Sequence, residues 1–142
     1  MLKIINDNWK WLNINFIEII DENEFGNFIL LNNDKTIWRI CPEELLCEKI
    51  TENLEDYLIL KTSIEFIEDW NLEFLKDLAF NKLGFLSKNE KYTLLKPGVL
   101  GGEYNADNLI KLSLEDLIKL SGDLAFQIKD LKDGQKIVFK IN

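Results

Sequence analysis

At 142 residues, 46% hydrophobic and 11% aromatic, the chain has the size and composition of one folded globular domain. A net charge of −8, a pI near 4.6 and a single arginine, Arg39, disfavour nonspecific binding to nucleic acid or to an anionic membrane. The chain has no histidine, which removes Ser-His-Asp and Cys-His catalysis and His-based metal sites, and no apolar run approaches the ~20 residues of a membrane helix.

The N-terminal stretch MLKIINDNWKWLN breaks its apolar residues with Asn, Asp and Lys, so it lacks the core of a secretory signal, and a cytoplasmic location is the expectation. Residues 16–20 read as a strand. Residues 28–31 and 36–40 flank the turn-rich Asn32-Asn33-Asp34-Lys35 and predict a β-hairpin. Thr51 is placed to cap a helix over residues 54–60, and Ser63 to cap another containing Phe66, Ile67 and Trp70. Leu72, Leu75, Leu78, Ala79 and Leu83 then recur at helical spacing until Gly84, a suitable stop. Glu65, Glu68 and Asp69 read as the solvated face of this region; a carboxylate cluster for a metal is the competing reading.

Residues 92–95 predict a strand, and residues 108–112 a shorter one. Ser113 caps the clearest helix in the chain, whose apolar stripe runs from Leu114 through Leu117, Ile118, Ser121, Leu124, Ala125 and Ile128 to Leu131. Gly122 inside that helix costs about 1 kcal/mol relative to Ala, which points to close packing there. Asp133-Gly134 predicts a turn into a final strand over 136–141. The expectation is one α+β domain over residues 1–142, with a mostly antiparallel sheet and packed helices.

Cys41 and Cys47 are six positions apart, which makes neither a C-x-x-C redox motif nor, alone, a structural zinc site; they read as reduced packing residues. No catalytic, metal or cofactor residue is assigned.

Residues 96–108, KPGVLGGEYNADN, hold three of the seven glycines and one of the two prolines. A phosphate cradle of the Walker type needs Lys and Ser or Thr after its last glycine, whereas Gly102 is followed by Glu103 and Tyr104. A dinucleotide loop opens a helix, whereas this one leads into polar turn residues, and Glu103 and Asp107 would repel a phosphate. The glycines therefore read as architecture. Pro97-Gly98 suits a type II turn, Gly101-Gly102 a tight passage, and Asn105, Asp107 and Asn108 can bond back to the backbone. Such a loop can also present Glu103 and Tyr104 to a partner.

Several short motifs occur in order: WRICPEE over 38–44 with Cys47, Asp69-Trp70, Leu83-Gly84, and PGVLGGEY over 97–104. Asn108 follows, then SGDLA over 121–125, QIKDL over 127–131 and Asp133-Gly134. Over roughly residues 25–141 this resembles the bacterial domain family found at the C-terminus of type VI secretion DNase-immunity proteins. More distantly it looks like the SUKH immunity superfamily of α/β toxin-binding domains. The resemblance implies a SUKH-like fold and a non-enzymatic cytoplasmic protein whose partner is a cognate toxin, a type VI secretion nuclease effector. It implies no catalytic residue.

The residues agree on one point. Common metal-dependent nucleases use an acidic residue followed by E-x-K, and no Glu here has Lys two positions later. An acidic chain is better suited to blocking a basic, DNA-binding toxin, whose approach its field would accelerate. Two acidic sets are candidates for the contact: Glu43, Glu44 and Glu48 after the Trp38 strand, and Glu103, Tyr104 and Asp107 on the glycine loop. Their competing reading is an ordinary solvated face. Competing functions are a cytoplasmic adaptor or regulatory binding domain with no toxin partner, and a small enzyme using carboxylates or a thiol.

Overall fold

The computed structural model describes residues 1–131. The turn at Asp133-Gly134 and the strand expected over 136–141 lie outside the described residues. Helix α1 (Leu2–Trp9) is followed by a four-stranded antiparallel meander, β1 (Phe16–Glu22), β2 (Phe28–Asn32), β3 (Ile37–Cys41) and β4 (Leu46–Thr51), in that spatial order. Three helices follow, α2 (Leu54–Leu60), α3 (Ile64–Asn71) and α4 (Glu73–Leu83). A two-stranded antiparallel ribbon, β5 (Glu90–Leu94) and β6 (Leu109–Ser113), carries the glycine loop between its strands, and α5 (Leu114–Ile128) comes last. The α+β expectation holds.

The β2–β3 hairpin forms where Asn and Asp close the turn. The Asp34 carboxylate accepts from the Thr36 amide (3.1 Å) and from the Asn32 side chain (2.9 Å), while Lys35 takes the positive φ of 75°. Ser63 and Ser113 cap α3 and α5 by accepting from the amides three residues on (3.2 and 3.1 Å). Thr51 does not cap α2. It ends β4, and Asn53 accepts from the Asp56 amide at 2.8 Å instead, being one residue before the helix where the cap must sit.

The meander buries both faces. On one, Phe16, Phe28, Leu30 and Ile40 pack against Ile5 and Trp9 of α1 and Leu114, Ile118 and Ala125 of α5. On the other, Ile29 and Ile37 meet Tyr57 of α2, with Phe66 and Trp70 of α3 beside them. A third cluster joins the ribbon to α4 through Tyr92, Leu94 and Leu109 against Leu75 and Ala79. Each large apolar side chain fully withdrawn from water contributes roughly 1.5–3 kcal/mol, so these clusters dominate the fold's stability. Cys41 and Cys47 are free and half-buried; burial pushes the Cys47 thiol up to about 12, consistent with packing rather than nucleophilic use.

Candidate partner-binding site

The turn after β3 and the glycine loop meet. Residues Pro42–Glu44 form a single 3-10 turn, residues Gly98–Leu100 form another, and the two lie side by side. The Tyr104 hydroxyl donates to Glu44 Oε1 across this junction. A Cβ on Gly98 would stand 1.9 Å from the same Glu44 oxygen, so the absent side chain is what admits the carboxylate. Burial, then the neighbouring Glu44 carboxylate, push the Tyr104 phenol up, which keeps it a proton donor.

The loop's remaining glycines have separate jobs. Gly101 takes the positive φ of 92°, whereas Gly98 does not, so Pro97-Gly98 is not the type II turn expected from the pair; the chain enters a 3-10 turn instead. At Gly102 a Cβ would stand 1.8 Å from the Lys96 carbonyl. Asn108 fills the loop's interior. Its amide donates to the carbonyls of Lys96 and Glu103 (both 2.9 Å), and its Oδ1 accepts from the Lys96 amide (2.9 Å). Asn105 accepts from the Asn108 amide at 3.2 Å. The centre of the loop is thus occupied by its own backbone and one asparagine.

Glu43, one residue before Glu44, faces the other way. It is 2% exposed, which corrects its placement as a surface carboxylate. Both its oxygens accept from the Asn27 side chain (3.0 and 2.9 Å), and Cys41 Sγ donates to Oε1 at 3.1 Å. Burial raises its pKa against the opposing pull of these bonds and of Arg39. Asn27 Oδ1 in turn accepts from Arg39 Nε (3.1 Å) and Nη2 (2.8 Å), while Nη1 pairs with Asp69. The guanidinium carbon also lies 5.3 Å from the Trp70 ring centre. A continuous chain of charged and polar groups therefore ties the Glu43 turn to α3. It explains Asp69 as an ion-pair partner, leaving Glu65 and Glu68 as exposed carboxylates.

Beside this junction is an open groove of about 400 Å3, lined by Glu68, Leu72, Glu73, Phe74, Leu75 and Tyr104. Phe74 is 76% exposed. Glu103 and Asp107 are exposed on the loop, and Glu103 accepts from the Asn105 amide group at 2.8 Å. Glu48 stands on the edge strand β4, opposite Arg39 in register. Of the six candidates, then, Glu44 and Tyr104 touch, Glu103 and Asp107 share their loop, Glu48 sits on the sheet edge, and Glu43 is interior. Sequence reasoning missed Phe74. Its signal was a large aromatic one position off the Leu72–Leu75–Ala79 stripe, on the polar side of α4.

The groove, the loop and most of α5 fall within a match to a known family. A family model described as T6SS immunity protein Tdi1, C-terminal, matches residues 51–125, more than half of the chain. The chain belongs to this family. The match is narrower than the 25–141 resemblance, so Tyr104, Glu103 and Asp107 lie inside it while Glu43, Glu44 and Glu48 lie outside. Among solved structures, the crystal structure of Atu4351 from Agrobacterium tumefaciens superposes with a TM-score of 0.54 at 16% identity, over 84% of this chain. That likeness is one of fold, and this chain spans 61% of the length of that structure. No curated protein matches it. Among the described residues, no helix of this Tdi1-C-terminal-family chain is long and apolar enough to cross a membrane.

Proposed function

We propose that this chain is an immunity protein that binds and neutralises a toxin delivered by a type VI secretion system, and that the toxin is a nuclease. Membership of the Tdi1 C-terminal family carries the immunity role, while the nuclease target rests on the sequence resemblance and on the acidity of the chain. The protein acts by occlusion rather than catalysis, in the cytoplasm where a nuclease would meet its DNA. The distant SUKH-like relationship suggested by the sequence points the same way.

Glu44, Tyr104 and Glu103, with the Phe74 groove beside them, form the surface best suited to the contact. A partly buried aromatic flanked by carboxylates offers a DNA-binding protein both an anchor and an imitation of the phosphates it is built to hold. Asp107 extends the acidic rim, and Glu48 adds charge on the sheet edge. Glu43 supports this surface from beneath through the turn it shares with Glu44. The test is co-expression with the product of a toxin-like reading frame next to this gene. Cells carrying both should survive and keep intact DNA; death at the same rate with and without this chain would refute the proposal.

A further inference from the structure

Helices α2 and α3 cover the second face of the sheet with Tyr57, Phe66 and Trp70, yet they carry a second set of apolar side chains that stay exposed. Ile59 and Ile64 are 71% and 70% exposed, and Leu54, Leu58 and Ile67 are exposed beside them. Isolated exposed aliphatics are ordinary, but five within the fourteen residues 54–67, three on α2 and two on α3, are a density of exposed apolar side chains of the kind that marks a contact surface. Between residues 52 and 73 the chain has seven acidic residues and one lysine, Lys61. That lysine is already engaged, 3.4 Å from the Asp21 carboxylate and 5.6 Å from the Tyr57 ring centre. Glu55, Asp56, Glu65 and Glu68 are left as an exposed acidic rim.

We propose that the exposed aliphatic face of α2 and α3 is a docking surface for a protein segment whose own aliphatic ridge is flanked by lysine or arginine. The rim selects the occupant. A second copy of this chain would bring two acidic rims together, and an anionic lipid surface would be repelled in the same way. A segment with basic flanks instead gains from burial of the aliphatic residues and from the charges around them. Glu68 belongs to both surfaces: it lines the Phe74 groove and follows Ile64 by one helical turn. This inference does not depend on the toxin-neutralising reading.

The probe is a fluorescent amphipathic helical peptide of leucine and lysine, compared with the same pattern written in leucine and glutamate. The leucine–lysine peptide should bind wild type and the leucine–glutamate peptide should not. Ile59→Ser with Ile64→Ser should weaken binding by about tenfold or more, since a few central apolar residues dominate such contacts. A second variant, Glu55→Lys with Glu65→Lys, leaves the aliphatics in place and should weaken it as well, whereas Phe85→Ser, at another exposed aromatic, should not. All of these positions are exposed, and circular dichroism should report unchanged folds. Undiminished binding by the Ile59→Ser, Ile64→Ser variant would overturn the proposal. So would self-association of wild type, or its binding to phosphatidylglycerol vesicles, that this variant abolishes.

Discussion

The Tyr104 hydroxyl donates to the carboxylate of Glu44, sixty residues away in the chain, and Gly98 leaves the space in which that carboxylate sits. Two acidic stretches that are unrelated in sequence thereby become one surface.

The two crowded glycines of this loop should respond differently to alanine. At Gly98 the new Cβ meets the end of a side chain, which can swing away; Gly98→Ala should cost about 1 kcal/mol or less while breaking the Glu44–Tyr104 contact. At Gly102 it meets the Lys96 backbone carbonyl, so the loop itself must open, at about 2–4 kcal/mol. Urea midpoints of the two variants check this, and equal losses would contradict it.

Arg39→Lys should destabilise the protein by about 2–3 kcal/mol although charge is kept. The guanidinium holds Asn27 through two nitrogens, Asp69 through a third, and the Trp70 ring by its face, and an ammonium cannot do all three. Asp69→Asn, at a largely exposed position, should cost under about 1 kcal/mol. The pair of denaturation curves separates the two roles.

Glu43 gives the pH dependence a definite sign. Its pKa is raised above the ordinary 4.5 by burial, so the native state holds its proton more tightly than the unfolded chain does. Its contribution is therefore most favourable below the ordinary carboxylate value and declines as pH rises through the raised one. Glu43→Gln keeps an acceptor for Asn27 but has no proton to lose. Measured by urea unfolding at about pH 4 and about pH 8, the variant should gain on wild type at the higher pH. A difference that does not change with pH would contradict this.

Gly122→Ala should destabilise by about 1–2 kcal/mol, against its gain of about 1 kcal/mol in helix propensity. The added Cβ would stand 2.6 Å from the Asn8 carbonyl, forcing α1 away from α5. A raised melting temperature would show that the two helices are not so closely packed.

Much of the fold was legible because local chemistry and tertiary packing agree. The hairpin turn at residues 32–36, the Ser63 and Ser113 caps and the α5 stripe all follow from short-range rules. The elements that escaped owe their existence to long-range contacts. Helix α1 carries Asn6, Asp7 and Asn8, poor helix formers, and is held by Ile5 and Trp9 against α5 and the sheet. Strand β4 reads as polar because it is an edge, with Glu48 and Lys49 exposed, and only its pairing with β3 makes it a strand. At the candidate site, sequence proximity suggested that Glu43 and Glu44 act alike. The 3-10 turn sends one to Asn27 and the other to Tyr104, a division that needs the partners' positions and cannot be read from the residues themselves.

The proposed contact is between the acidic, aromatic junction around Glu44 and Tyr104 and a basic toxin. Association rates decide it, measured between the purified chain and the toxin encoded beside its gene, at low and high salt. Glu44→Lys with Glu103→Lys should slow association about tenfold at low salt, with most of that difference lost at high salt and the fold unchanged. Equal rates for wild type and the double reversal at both salts would place the interface elsewhere.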